Sequence, residues 1–159
     1  MERLKWSLGF KHGVAVNCNG KSGGLALWWK ESVEVTARPW CQYYIDAHVV
    51  ADGVAFRFTG IYGEPCVEKR MKTWDVLRYL RTQDNLPWLC AGDFNEALLQ
   101  KEQNSGNPRS LRQMANFAEC MSDCRLAYLG YSGYPFTWDN KRDGSDNIQV
   151  RLDRATCKC

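Results

Sequence analysis

The stretch Leu86-Pro87-Trp88-Leu89-Cys90-Ala91-Gly92-Asp93-Phe94-Asn95-Glu96 constrains this chain more than any other. Trp88 to Ala91 is a short apolar run without alternation, the pattern of a strand covered on both faces. At Gly92 the character changes. A glycine permits close backbone approach, and Asp93 and Asn95 put a carboxylate and an amide just past the strand end. In open α/β sheets, ligands gather outside the carboxyl ends of strands. Two such groups can face one side and hold a water or a phosphate oxygen between them. The same residue types also suit the N-cap of a helix over Glu96–Lys101. On this stretch alone both readings stand.

A strand buried on both faces needs neighbours, and the flanking sequence supplies them. Met1–Phe10 reads as the tail of a helix stopped at Gly9. Gly13–Cys18 and Gly24–Trp29 read as short strands joined by the turn Asn19-Gly20-Lys21-Ser22-Gly23, with Val33–Ala37 as a hairpin partner. Gln42–Val50 and Val54–Tyr62 alternate around Asp52-Gly53, which predicts an antiparallel hairpin with one buried face: Tyr43, Ile45, Ala47 and Val49, then Phe56 and Phe58. After Pro65, Val67, Met71, Trp74 and Leu77 recur at helical spacing through Gln83. The outer face of that helix, with Lys69, Arg70, Lys72, Arg78 and Arg81, reads as ordinary solvated surface. Leu111–Cys120 predicts a second helix with Leu111, Met114, Phe117 and Met121 on one stripe. Phe136–Trp138 and Ile148–Arg154 read as strands around a charged loop, Asp139–Asn147. This order argues a layered α/β sandwich with mixed sheets.

Composition narrows the class. The chain has 159 residues, enough for one domain with a real core. Seven tryptophans and an apolar share of 45% exclude a disordered chain. A net charge of +3 permits a nucleic-acid partner without requiring one. The eight cysteines are scattered, no signal-peptide core precedes them, and neither Cys120/Cys124 nor Cys157/Cys159 has CxxC zinc spacing. They read as mostly reduced, in an intracellular protein. No apolar run approaches the roughly 18 residues of a membrane span, so no membrane partner is expected.

Taken together, Gly92-Asp93-Phe94-Asn95 after a strand, Gly60-Ile61-Tyr62-Gly63 before a helix and Arg151-Leu152-Asp153-Arg154 near the end resemble the endonuclease/exonuclease/phosphatase superfamily, of DNase I-like fold. Ser22-Gly23-Gly24-Leu25-Ala26-Leu27, Pro87-Trp88-Leu89-Cys90, Phe136-Thr137-Trp138 and Arg151–Ala155 look most like the endonuclease domain of plant non-LTR retrotransposon polyproteins, which also carry a reverse transcriptase. The resemblance runs through nearly the whole chain. It implies an α/β fold, a four-layer sandwich of mixed, mainly antiparallel sheets, with residues 1–159 as one partial domain, incomplete at both ends. It implies Mg²⁺-dependent hydrolysis of DNA phosphodiester bonds and, more remotely, a nuclear location. Carried over by position, Asp93 would bind or orient the attacking water, Asn95 would support it, and both would be metal ligands. Tyr62 would contact the phosphate, and Asp153 would orient a catalytic histidine. Arg151, Thr137, Trp138 and Arg154, with Lys141 and Arg142, would form a rim for the DNA phosphate backbone.

The departures from the pattern matter as much. The family's metal-binding glutamate in a Glu-Thr-Lys context and its Ser-Asp-His strand do not occur in this sequence, and Tyr128 stands where relatives carry Asp. Its histidines, His12 and His48, lack the Ser-Asp-His context, and His48 reads as an ordinary strand residue. The absent strands should leave unpaired sheet edges. Chain activity is therefore expected to be absent or impaired, since general acid–base catalysis alone is worth roughly 10²- to 10⁴-fold. Two other readings stay open: a non-catalytic nucleic-acid-binding remnant, and a phosphatase of the same fold acting on small phosphate esters.

Overall fold

A computed structural model describes residues 2–18 and 24–158. The turn expected over Asn19–Gly23 and the terminal Cys159 lie outside the described residues. A short helix, α1 (Glu2–Ser7), precedes an antiparallel ribbon of β1 (His12–Val16) and β2 (Leu25–Trp29). Next come β3 (Glu34–Ala37), β4 (Tyr44–Ala51), β5 (Val54–Tyr62), α2 (Met71–Arg81) and β6 (Trp88–Asp93). The rest comprises β7 (Gln103–Asn104), α3 (Leu111–Asp123), β8 (Ala127–Tyr128), β9 (Trp138–Asp139), β10 (Gln149–Val150) and β11 (Asp153–Lys158).

The large sheet is continuous in the order β3-β4-β5-β6-β11-β8, and β7-β10-β9 form a small sheet of their own. Every pairing in the large sheet is antiparallel except β5–β6, which a helix, α2, connects as a parallel pair requires. One face of the large sheet carries α2 and α3, whose Trp74 and Phe117 rings stack at 4.5 Å over Trp88, Cys90 and Ile61. The other face meets the β1–β2 ribbon across Val49, Phe56, Phe58 and Leu89. β6 is thus covered on both sides, as its unbroken apolar run predicts.

Several expectations need correction. The β4–β5 hairpin is not buried on one face alone. Asp46, Arg57 and Thr59, read as its outer side, are buried under the helices. Arg57 donates from Nε and Nη2 to Asp46 at 2.8 and 2.9 Å, Thr59 Oγ1 donates to Asp46 at 2.6 Å, and Trp88 Nε1 donates to Thr59 at 2.8 Å. Every polar group in that ladder is paired, which is what makes its burial tolerable. The helix expected from Val67 begins as a 3₁₀ turn, Val67–Lys69, and Arg70 points inward rather than to solvent. Leu111 lies outside the buried stripe of α3, which runs instead through Met114, Phe117, Cys120 and Met121. Ile148–Arg154 is not one strand: it breaks at Arg151-Leu152, and its halves join different sheets. No α-helix spans Glu96–Lys101; only a 3₁₀ turn, Gln100–Glu102, follows, so neither Asp93 nor Asn95 caps a helix there. No helix among the described residues is long and apolar enough to cross a membrane.

Candidate functional site

Strand register assembles the site. Tyr62, the last residue of β5, pairs with Asp93, the last of β6, and Asp93 pairs with Asp153, the first of β11. Directly paired residues of neighbouring strands share a face. A phenol and two carboxylates therefore stand in one row at the end of three adjacent strands.

The turn after β6 is locked onto the turn after β5. The Asn95 N–H donates to Asp93 Oδ1 at 2.7 Å, and Asn95 Nδ2 donates to the Gly63 carbonyl at 2.7 Å. In return the Gly63 N–H donates to the Asp93 carbonyl at 2.6 Å. Asn95 holds a left-handed φ of 54°, a conformation asparagine tolerates better than most residues. Gly63 is required by space: a Cβ there would collide with the backbone of Phe94. Gly92 is required twice over, by φ of 138° and by the Ile61 carbonyl that a Cβ would strike. The two glycine-containing motifs are thus one interlocked structure. The Asn95 amide is thereby held against the turn after β5, next to Asp93.

Burial pushes the Asp93 carboxyl up to about 6, against the Asn95 N–H that favours its ionised form. Asp153 adds to the rise and Arg70 opposes it. A carboxyl that titrates near neutrality beside a second carboxylate is a common functional-site signature. Asp93, Asp153 and Asn95 Oδ1 are all oxygen donors, the kind a hard divalent cation takes, and Mg²⁺ is commonly held by only one or two carboxylates plus waters. Among the described residues, no three His, Cys, Asp or Glu side chains group as a metal cage. The residues present fit one side of a Mg²⁺ shell.

The expected substrate rim divides. Thr137 is exposed, yet its Oγ1 accepts the N–H groups of Leu152 and Asp153, both at 3.0 Å. It therefore fixes the start of β11 and the position of Asp153. Trp138 is half-exposed beside it, and Lys141 and Arg142 are exposed on the β9–β10 loop. Arg151 and Arg154 correct the expectation: at 4% and 5% exposure they are not on the rim. Arg154 reaches the Glu102 carboxylate at 3.2 and 3.1 Å and the Glu96 carbonyl at 3.0 Å. Arg151 lies 3.3 Å over the Tyr131 ring and bonds the Tyr128 hydroxyl at 3.2 Å.

Neither histidine joins the row. His48 pairs with Arg57, which pairs with Trp88, at the opposite end of β6 from Asp93. His12 stacks on Trp29 in the β1–β2 ribbon. The sequence reading missed Glu96 and Arg70. Glu96 is fully buried directly after Asn95 and receives Arg70 at 2.6 Å and Arg109 at 3.0 Å. Only the placement of a charged residue next to the Asp-Phe-Asn turn could have signalled it.

The fold has known counterparts. The endonuclease domain of TRAS1, a telomere-specific non-LTR retrotransposon, is 13% identical with a TM-score of 0.65 over 92% of this chain and 66% of that one. D. rerio TDP2, solved in complex with a single strand DNA product, is 16% identical with a TM-score of 0.66 over 99% of this chain and 65% of that one. An endonuclease/exonuclease/phosphatase family protein from Bacteroides thetaiotaomicron is 13% identical with a TM-score of 0.61 over 99% and 63%. The chain thus spans just under two thirds of the length of each. No curated protein sequence matches it. At such identities the likeness speaks for the DNase I-like fold alone, but the sequence model of one family matches residues 2–155. This chain therefore belongs to the Endonuclease/Exonuclease/phosphatase family.

Proposed function

We propose that the Tyr62–Asp93–Asp153 row, with Asn95, is part of a Mg²⁺-dependent site that hydrolyses DNA phosphodiester bonds, and that these 159 residues alone are impaired or inactive in that reaction. The register that aligns a phenol and two carboxylates at one strand end carries the reading. Asp93, protonating near pH 6, holds and orients the attacking water while ionised. Asn95 Oδ1 steadies the same water, and the Tyr62 hydroxyl donates to a phosphate oxygen. Asp153, fixed by Thr137, completes the acidic wall. Asp93 and Asn95 are the residues that would hold Mg²⁺, which supplies charge stabilisation and acidifies bound water. DNA as substrate is supported by the TDP2 complex with a single strand DNA product and by the TRAS1 endonuclease domain. A retrotransposon-type nuclease acting in the nucleus is the corresponding setting.

Impairment rests on the histidines: with His48 and His12 remote, no imidazole serves the row as base. Nicking of supercoiled plasmid tests both parts. The expected result is either no nicking or nicking far below an ordinary enzyme turnover of about 10 s⁻¹, and any nicking seen is abolished by chelation and by Asp93→Ala. Brisk nicking overturns the impairment. Nicking indifferent to Asp93→Ala overturns the site. Salt-dependent duplex binding without any cleavage, unchanged by Mg²⁺ and by Asp93→Ala, favours the binding-remnant reading instead.

A further inference from the structure

Arg70, at the start of α2, is a charged residue with only 7% exposure, and its partners flank the carboxylate row. Its Nε donates to the Glu64 carbonyl at 3.3 Å and its Nη2 to the Pro65 carbonyl at 3.0 Å. Its Nη1 donates to Glu96 Oε2 at 2.6 Å. Glu64 and Pro65 follow Tyr62-Gly63 in the turn after β5, and Glu96 follows Asp93-Phe94-Asn95 in the turn after β6. One guanidinium therefore spans the two turns that carry Tyr62 and Asp93.

The clasp is anchored at both ends. The Glu64 N–H donates to Thr73 Oγ1 at 2.9 Å, and the Glu64 carboxylate accepts the Tyr43 hydroxyl at 3.0 Å and the Cys66 N–H at 3.1 Å. The second oxygen of the Glu96 carboxylate accepts Arg109 at 3.0 Å. Strand pairing between β5 and β6 ends at Tyr62 and Asp93. Past that point the turns meet through the Asn95–Gly63 and Gly63–Asp93 bonds and through Arg70. A buried guanidinium is costly to desolvate. Its rigid planar fork fixes the angle between its partners, which a lysine ammonium does not. Charge-assisted bonds such as that to Glu96 are also the stronger kind.

We propose that Arg70 is a positioning residue for the row: its guanidinium sets how the Tyr62 turn lies against the Asp93–Asn95 turn, without itself meeting metal or substrate. This rests on the metal-site reading of that row. Three roles for a buried cation at this place differ in sign. The Arg70 charge is felt at Asp93. A purely electrostatic role therefore opposes a divalent cation, and removing the charge would tighten its binding. A purely structural role changes how much of the chain is folded and leaves the affinity of the folded chain alone. A positioning role weakens binding whether the charge is kept or removed, because the carboxylate and the amide lose their common aim. Groups that orient metal-holding side chains act in this way.

The test titrates the isotope-labelled chain with Mn²⁺ alone in place of Mg²⁺ and reads paramagnetic broadening of the Asn95 amide signal by NMR. It is run well above the Asp93 value of about 6, so that this carboxylate is ionised throughout. Arg70→Lys and Arg70→Gln should each bind Mn²⁺ about tenfold or more weakly than wild type. Leu80→Ala empties a buried position toward the other end of α2 and should lower stability without moving the affinity. Arg70→Lys keeps the charge and serves where Arg70→Gln does not fold. If neither folds, Arg70 belongs to the fold at large and the assignment is overturned. Unchanged or tighter Mn²⁺ binding in a folded Arg70 variant overturns it as well. A wild-type Asn95 signal that Mn²⁺ leaves sharp overturns the metal-site reading alone. Exchange of the Asn95 side-chain amide then still reads the clasp: the Arg70 variants should speed it and Leu80→Ala should not, and equal exchange in all of them overturns the clasp.

Discussion

Asp93 is costly to the fold in its ionised form. Its folded pKa is raised to about 6 from an ordinary 3.8, so the unfolded chain releases the proton first. Stability therefore falls as pH rises from about 4 to about 6, and is level above that. Asp93→Asn removes the cost. It should raise stability near neutral pH by on the order of 1–2 kcal/mol and leave it unchanged near pH 4, measured by urea unfolding at both. Asp153→Asn should lower the Asp93 pKa toward its ordinary value, read by NMR titration of the carboxyl carbon. Gly63 is constrained by sterics rather than charge. Gly63→Ala forces a methyl into Phe94's backbone and should cost about 1–3 kcal/mol while loosening Asn95.

At the scale of elements, the segment after β6 is held by ions. Glu96 bonds Arg70 at the start of α2 and Arg109 just before α3, so one carboxylate ties both helices to the site turn. Glu96→Ala strands a buried guanidinium and should cost about 3–5 kcal/mol, with Glu96→Gln costing less; thermal melts check the order. Faster amide exchange at Asn95 in the alanine variant would show that the tie reaches the site. These ties are also what the sequence conceals. The β4–β5 hairpin, β6 and the helical stripes are legible because periodicity is local, and the Gly-Asp-Phe-Asn turn is legible because glycine and Asx chemistry is local. Asp46, Arg57, Arg70, Arg151 and Arg154 read as surface and Glu96 as no more than the start of a helix, because a buried charge is told only by a partner distant in sequence. The row itself needed registers among three strands, which residue order does not specify.

At the scale of the molecule, the large sheet is clamped between helices and a small ribbon, and its far end is closed by a second charged cluster. Asp84, on the α2–β6 connection, receives Arg38 at 2.7 Å and contacts His48 on β4. Burial alone would push the Asp84 carboxyl up. The Leu86 N–H, His48 and Arg38 outweigh burial and hold it down to about 2. The sign is opposite to that of Asp93. A depressed folded pKa stabilises the protein above the unfolded value of 3.8, and that stabilisation is lost as pH falls toward 2. Asp84→Asn should therefore cost on the order of 2 kcal/mol at neutral pH and nearly nothing at the lowest pH. The acid-unfolding midpoint, followed by tryptophan fluorescence, should move to higher pH in wild type than a chain without carboxylate clusters would show, and its pH dependence should flatten in the variant. A variant with the wild-type slope between about pH 4 and 2 would mean that the cluster does not couple the connection to the sheet. The two ends of the sheet thus respond to pH in opposite senses: acid relieves the row at Asp93 while it releases the clamp at Asp84.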